Sequence, residues 1–453
     1  MPDALSHPLP HAAPAVDWSK HHGPISLLRQ PGSDAAHALT QTIADSIEPQ
    51  LAQKRPLGMS GRVTHRQRVG TILAGLLKEG LRGGAVRAQR GHAGAQWNNA
   101  PFGQDAFWQK VDAMQRAGLV GIRVGVPFWQ GGQITGKASA IWCEPSLLAH
   151  AAQFGLTSDR FAADWPLTVQ AQRQRPTIAP EDLVTFYEVP LKSSEARKRC
   201  LWPADQAAAV ADVQRHLERL NEHLASVPVE GCVPPVLRRQ FFADVRLGGR
   251  FYAIGAETYQ NMRVKDRHLL RLDGRRVVEV DLRASALSIL LASNGRTIPA
   301  DPYAVGPLAA FDRDAVKAWV VQSLNGPPAK RWSDRQPTAI RSVPIMGIHK
   351  AALEVYPEID KASDALPPDL LHHVPFDCVR WAVGQWLSAV EAQVMQDALT
   401  RLMDAGLPAL PIHDALLCRE EDSQAAQRAL LGAFEGHLGA TPQVRTKGAV
   451  ASA

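Results

Sequence analysis

Residues 277–282 read Val-Val-Glu-Val-Asp-Leu, and this alternation constrains the C-terminal half of the chain more than any other feature. Successive side chains of a β-strand point to opposite faces of its sheet. Three aliphatic side chains would therefore lie on one buried face, and Asp281 would lie on the other face near the end of the strand. A helix-like run, residues 284–293, follows at once. The pattern predicts a strand that ends at an acidic side chain and leads directly into a helix.

A second acidic side chain lies in a predicted hairpin. Residues 385–405 have the apolar spacing of a helix, and LPALPIHDALLC then reads as two short strands around the turn His413-Asp414. A final helix is predicted to begin at residue 422 or 423. If the hairpin pairs beside the strand that carries Asp281, the two carboxylates converge at one sheet edge. The order strand–helix, long helix, hairpin, helix predicts an α+β fold in which helices back an antiparallel sheet.

The N-terminal half predicts a different organisation. Two helices are expected at 63–79 and 104–117, and residues 119–142 read as a β-hairpin around a Gly-Gly turn. Helix, helix and hairpin in a basic region resemble a winged-helix module, although an ordinary helical packing domain or a protein-contacting module has the same pattern. The predicted domains are a disordered or loosely packed arm at 1–50, the winged-helix-like nucleic-acid-binding module at 51–155, a linker with thumb-like helices at 156–244 and a palm with small helical fingers at 245–453.

Composition narrows the class of protein. No run of 18 or more apolar residues occurs, and the N-terminal stretch lacks the features of a secretory signal. The five cysteines are scattered and form no CxxC motif, which favours a reduced, cytoplasmic protein. The lack of a long apolar run favours a protein without a membrane partner. The net charge of +6 is mild and is compatible with a nucleic-acid partner. The sequence carries no signal for an oligomeric state.

Two groups of charged residues suggest chemistry. Converging carboxylates at Asp281 and Asp414 would repel each other unless a cation lies between them, and oxygen ligands favour Mg²⁺. The alternative is that Asp281 caps the following helix and Asp414 only forms a turn. Arg313 and Lys317 are four residues apart, which places them on one helical face where they can hold a phosphate chain. A solvated basic helix face is the more frequent explanation of that pair.

Several ordered segments resemble the palm and fingers of family A nucleic-acid polymerases. This family includes bacterial DNA polymerase I and the single-subunit phage RNA polymerases. The similar segments are GGRFYAIG, VVEVDLRASALSILLA, DPYAV, DRDAVKAW, the long helix with the His-Asp hairpin, and ATPQVRTKG. Together they extend over about residues 245–450, and each falls on the expected secondary structure.

The resemblance implies roles for particular residues. Asp281 and Asp414 match the metal-binding carboxylates, and the backbone carbonyl of Leu282 would complete the ligands of two Mg²⁺ ions, which Mn²⁺ can replace. In the same comparison Arg313 and Lys317 match residues that touch the nucleotide triphosphate, and His413 matches the residue that places the primer end. Arg283 and Ala286 are further positions expected to contact the nucleotide.

Departures from the family pattern shape the expected function. The aromatic and the Tyr-Gly pair that stack on the incoming base are missing, and Ala286 leaves room for a ribose 2′-hydroxyl. No acidic 3′–5′ exonuclease motifs are recognisable in the N-terminal half. The expected activity is template-dependent nucleotidyl transfer from dNTP or NTP onto a nucleic-acid primer or template by a two-metal mechanism, without proofreading. The alternative is a non-catalytic DNA-binding replication initiator or regulator with a degenerate palm.

Overall fold

The computed structural model describes residues 23–51, 56–89, 100–125, 127–130, 133–136, 138–189, 198–334 and 336–448. The chain separates into two units, Met1–Gln174 (unit 1) and Arg175–Ala453 (unit 2), and each has its own apolar core. Helices and mainly antiparallel sheets occur in both units, so the predicted α+β class is confirmed. Within these residues, no helix combines the length and apolar character that crossing a bilayer requires.

Unit 1 is a helical layer with a small antiparallel sheet. The sheet has the order β1-β5-β2, and the hairpin β3–β4 lies between β2 and β5 in the chain. The core is built by the first three helices, whose Ile43, Ile72 and Phe107 are fully buried. The elements are α1 Asp34–Ile47, α2 Met59–Gly80, β1 Ala85–Ala88, α3 Gln104–Arg116, β2 Val120–Arg123, β3 Pro127–Gln130, β4 Gln133–Gly136, β5 Ser139–Cys143, α4 Pro145–Gln153, α5 Phe161–Asp164 and α6 Val169–Arg173.

The expected arm at residues 1–50 is wrong over much of its length. Helix α1 lies inside that range, and its Leu39, Ile43 and Ile47 are fully buried in the core of unit 1. The side chain of Ser33 caps the helix by accepting a hydrogen bond from the backbone N–H of Ala36. The four-residue spacing of the three aliphatic side chains outweighs the Pro- and His-rich composition around them. Residues 1–22 lie outside the described residues.

Unit 2 contains two sheets and most of the helices. One sheet has the order β10-β9-β6-β7, and the other has the order β13-β14-β12-β11-β8, with β15 also paired to β12. The elements are α7 Pro180–Leu183, β6 Val184–Tyr187, β7 Arg199–Cys200, α8 Ala207–Ala225, β8 Val229–Glu230, β9 Leu237–Phe242, β10 Asp244–Ala253, α9 Val264–Arg267, β11 Arg271–Leu272, β12 Arg275–Leu282, α10 Ser285–Ser293, α11 Arg313–Leu324, α12 Thr338–Arg341, α13 Ile345–Val355, α14 Val379–Asp404, β13 Ala409–Ile412, β14 Ala415–Arg419, α15 Ser423–Leu438 and β15 Val444–Lys447.

The predicted segment of linker and thumb-like helices at 156–244 is wrong as to the linker, whereas a helix, α8, is present in it. Its first part belongs to unit 1, where Trp165 is fully buried. Its second part contributes β6 and β9 to a sheet of unit 2, and Phe186 and Phe241 stack there with ring centroids 5.2 Å apart. Pro and Arg residues between these apolar positions obscured the strands, whereas helix α8 was predicted because its apolar stripe is regular.

The C-terminal part of unit 2 follows the predicted order of elements. Strand β12 buries the predicted aliphatic face, since Val278, Val280 and Leu282 are at most 1% exposed. The hairpin β13–β14 pairs antiparallel with β12 through β14. Helix α14 begins at Val379, before the predicted start, and packs against β10, β13, α10 and α15. This helix therefore connects the two sheets of the unit.

Candidate functional site

The pairing of β12 with β14 brings Asp281 and Asp414 to the same end of one sheet. Asp281 lies opposite Ala415, the residue that follows Asp414. The backbone N–H of Leu282 donates a 3.0 Å hydrogen bond to the carbonyl oxygen of Asp414. The hairpin register therefore places the two acidic residues beside each other, as the sequence pattern required if the hairpin paired at this strand.

Two residues with unfavourable backbone conformations flank this pair. Ala284, between Asp281 and helix α10, has a φ of 53°, and His413, immediately before Asp414, has a φ of 53°. Left-handed φ values are uncommon for residues other than glycine and cost free energy. Strained positions of this kind concentrate at functional sites because the surrounding structure holds them there. Of the two residues of the predicted turn, His413 is the one with the left-handed conformation.

Glu391 on α14 supplies a third carboxylate near the pair. Its side chain is only 2% exposed, and both oxygens accept hydrogen bonds. Oε1 accepts one of 2.8 Å from Nε of Arg250 on β10, and Oε2 accepts one of 2.9 Å from Oγ of Ser285 at the start of α10. Glu391 therefore joins a strand of the first sheet to the helix that follows Asp281.

Three carboxylates lie close together in the cluster, and the guanidinium of Arg250 neutralises that of Glu391. The pKa of Asp414 is raised to about 7, because the carboxyl is desolvated and because Glu391 and Asp281 are close to it. Partial burial and the nearby guanidinium of Arg250 lower the pKa of His413. The carboxyl of Asp414 thus holds a proton near neutral pH unless a cation replaces it.

A lysine from the last strand contacts the cluster. Lys447 on β15 forms an ion pair with Oδ2 of Asp281, although the residue directly opposite Lys447 is Glu279. Glu279 instead accepts a 2.7 Å hydrogen bond from the buried Nε of Arg267. The ammonium of Lys447 neutralises one of the three carboxylates and lies where a cation bound to Asp281 would lie.

The two cations predicted to hold a nucleotide differ in their surroundings. Arg313 makes a two-pronged contact with Asp301, with Nε 2.8 Å from Oδ2 and Nη2 3.3 Å from Oδ1. Its guanidinium also lies 5.1 Å from the ring centroid of Tyr303, whose raised pKa results from burial and then from the charge of Asp414. Lys317, one turn along α11, is exposed. The segment DPYAV therefore links α11 to the carboxylate cluster.

The remaining predicted residues lie around this cluster. Arg283 donates to the carbonyl of Ala300 at 3.1 Å and lies 3.8 Å from Asp301, the residue that also contacts Arg313. Ala286 is the second residue of α10 and is half-buried. Leu282 has a buried side chain and contributes only its backbone to this region.

The capacity of the site for a metal depends on few ligands. Within the described ranges, no group of three or more His, Cys, Asp or Glu side chains has the geometry of a ready-made metal centre. Glu391 has both oxygens engaged, so Asp281 and Asp414 are the carboxylates left to hold a cation. Hard carboxylate oxygens suit Mg²⁺ or Mn²⁺, and a cation beside Asp414 would offset the burial and the neighbouring charges that raise its pKa.

Comparison with known proteins adds no family assignment. A scan against protein-family models and a search of curated proteins returned no match to this chain. The arguments below therefore rest on the residues and geometry of the chain itself.

Sequence reasoning missed several contacts of the site. The Arg250–Glu391 pair joins residues far apart in the chain, and the Lys447–Asp281 pair depends on strand register. The segment ATPQVRTKG carried a usable signal. Its lysine lies in a strand-like run, and a basic side chain in a strand is expected to pair with an acidic side chain of a neighbouring strand.

Proposed function

We propose that this chain is a template-dependent nucleotidyltransferase whose C-terminal unit is a reduced family A polymerase palm. The observation that carries the proposal is the convergence of Asp281 and Asp414 on neighbouring strands, with the pKa of Asp414 raised to about 7 by burial, Glu391 and Asp281. A structural role would not require two strained backbone positions beside a destabilising group of carboxylates. The substrates are dNTP or NTP together with a nucleic-acid primer and template.

The donor set fits a divalent cation. Asp281 and Asp414, with the backbone of Leu282, would hold Mg²⁺ or Mn²⁺, and Lys447 would leave Asp281 when the cation binds. When bound, such cations lower the pKa of a hydroxyl nucleophile and stabilise the charge of the phosphates. The protein residues have separate tasks around them. Glu391 fixes Arg250 and the start of α10, so that the strand and the helix that border Asp281 keep their positions.

The nucleotide side of the proposed site is α11 with the segment before it. Arg313 is oriented by Asp301 and by the ring of Tyr303, which pre-orders its guanidinium. Lys317 is exposed and lies one helical turn away, so its ammonium group can approach a phosphate from solvent. Ala286 leaves space next to the sugar, and both dNTP and NTP are therefore expected substrates.

The topology of unit 1 is the basis on which a nucleic-acid partner is proposed. Its topology of three helices, a sheet ordered β1-β5-β2 and a hairpin inserted between β2 and β5 is compatible with a winged helix. We propose that this unit contacts template or duplex.

A second candidate function follows from one contact. The ion pair between Lys447 and Asp281 neutralises a proposed metal ligand, as expected if the palm no longer catalyses and the chain only binds DNA as an initiator or regulator. In that case a divalent cation would not displace the lysine.

Extension of a labelled primer on DNA and RNA templates, with dNTP and NTP in parallel reactions, separates the two functions. Incorporation that depends on the template and on Mg²⁺ supports the transferase. Binding of the primer–template without incorporation under all four conditions, in Mg²⁺ or Mn²⁺, supports the non-catalytic alternative.

A further inference from the structure

Unit 1 contains a groove whose role does not follow from a winged-helix topology. The groove has a volume of about 970 Å³ and is formed by residues 27–41, the first turns of α2, residues 101–102 and residues 168–174. Its size is at the upper end of the range for small-ligand pockets, roughly 300–1,000 Å³, and a few units of a flexible chain would fit.

The lining of the groove mixes polar and apolar surface, and none of the described residues that form it carries a negative charge. Its 19 residues include five glutamines, four threonines, two arginines and one histidine, but no aspartate or glutamate. Three of the threonine hydroxyls, those of Thr40, Thr64 and Thr71, donate to carbonyl oxygens of their own helices. The groove also presents the guanidinium groups of Arg66 and Arg68 and the side-chain amides of its glutamines, of which that of Gln41 already donates to Asp45.

Arg68 and Phe102 form the feature that indicates the chemistry of the ligand. The guanidinium carbon of Arg68 lies 5.8 Å from the ring centroid of Phe102, and both side chains are half-buried. Beneath them, Lys110 is 5% exposed and its pKa is lowered by burial and then by the charge of Arg68. A planar guanidinium next to an aromatic ring offers a stacking surface for a base, and the neighbouring positive charge attracts a phosphate.

We propose that this groove binds a single strand of nucleic acid, with a base stacked at Phe102 and Arg68 and with phosphates at Arg66 and Arg68. The proposal rests on the proposed function only in taking nucleic acid as the partner. A narrow groove lined by amides accepts the exposed edges of unpaired bases, whereas a duplex presents its bases only within its own grooves. Arg66 lies 3.8 Å from Asp45 at the edge of the groove, and a phosphate would compete with that exposed pair.

Fluorescence anisotropy of the full chain with a labelled oligothymidylate of about 12 nucleotides tests the proposal. The double variant Arg66→Glu/Arg68→Glu should weaken binding at least about tenfold and reduce the salt slope of log K by about 1.4, because two phosphate contacts are lost. Phe102→Ala should weaken binding at least about fivefold with an unchanged salt slope, since it removes stacking and no charge. Arg82→Glu is the matched control, because Arg82 is exposed beyond the other end of α2, roughly 20 Å away.

The controls make each outcome decisive. Circular dichroism melts have to show that the variants are folded, and Phe102→Leu replaces Phe102→Ala if that variant is not. Oligothymidylate affinity within about twofold of wild type in both groove variants would overturn the proposal. So would a loss of duplex affinity larger than the loss of single-strand affinity. Binding is measured in EDTA and without nucleotide, so failure of nucleotidyl transfer leaves this test unaffected.

Discussion

The ammonium group of Lys447 contacts the carboxylate of Asp281 across neighbouring strands β15 and β12. This pair neutralises one acidic side chain of a cluster that otherwise holds excess negative charge. Because the lysine and a divalent cation would compete for the same oxygens, the pair links the affinity for metal to the last strand of the chain.

Replacing Lys447 with methionine should tighten the binding of a divalent cation. The side chain of Lys447 is 35% exposed, so the competing ion pair contributes on the order of 1 kcal/mol, which corresponds to about a fivefold lower Kd for Mn²⁺. Isothermal titration calorimetry with Mn²⁺ measures this change. Lys361→Met, at an exposed position of the same unit, is the control and should leave the Kd unchanged. Weaker Mn²⁺ binding in Lys447→Met would show that the lysine supports the metal site instead of competing with it.

The stability of the metal-free protein should fall as the pH rises from about 4 to about 7. The pKa of Asp414 is about 7 in the folded chain, against 3.8 as its ordinary value, so the folded state holds the proton more tightly than the unfolded state. The contribution is therefore favourable at low pH and is lost as the pH rises through 7, by on the order of 2–4 kcal/mol. Urea unfolding in EDTA across this range should show the loss, and Asp414→Asn should remove most of it.

Asp212→Asn is the control for that titration, because Asp212 is an exposed carboxylate on α8. It should retain the pH dependence of the wild type. Added Mg²⁺ should restore stability above pH 7 in the wild type and have no effect on Asp414→Asn. Identical pH profiles for wild type and Asp414→Asn would contradict the proposed burial of negative charge.

Much of the C-terminal part of unit 2 could be predicted because its signals are local. The alternation in β12 and the tight turn at His413 each involve fewer than ten neighbouring residues. Strands β12, β13 and β14 lie where these patterns predict them. The contacts around Asp281 could not be predicted, since Lys447 reaches it diagonally and not from the directly opposed position. Helix α1 was not predicted, for another reason. Leu39, Ile43 and Ile47 are spaced as on one face of a helix, but the Pro- and His-rich composition around them is typical of a disordered segment.

Replacing Glu391 with glutamine should destabilise unit 2 by about 2–3 kcal/mol, because Arg250 would keep its charge without the carboxylate that neutralises it. The same change should lower the pKa of Asp414, since the charge of Glu391 raises that pKa more than the charge of Asp281 does. Chemical unfolding at pH 7 measures the first effect. Glu358→Gln is the matched control, because it removes a carboxylate from the more exposed pair with Arg296, and its cost should stay within about 1 kcal/mol. Equal losses in both variants would mean that Glu391 has no special positioning role.

Lys317→Ala and Arg313→Ala should have different effects on nucleotide use. Lys317 is exposed, so its removal should raise the KM for the nucleotide about tenfold and leave the Tm unchanged. Arg313 is tied to Asp301, so its removal should raise the KM and also destabilise the fold by about 1 kcal/mol. Steady-state kinetics and thermal melts distinguish the two. Lys350→Ala, on an exposed position of α13, should change neither quantity, and an unchanged KM in both α11 variants would remove this helix from the nucleotide site.

The most direct test of the account is primer extension by Asp281→Asn and Asp414→Asn next to the wild type and Asp212→Asn. Both site variants keep the size of the side chain and remove the charge that would hold the cation. The account predicts template-dependent incorporation by the wild type and by Asp212→Asn, and a loss of at least about a thousandfold in each site variant, of the size expected when metal-assisted catalysis fails. Incorporation at the wild-type rate by either Asp281→Asn or Asp414→Asn would contradict it.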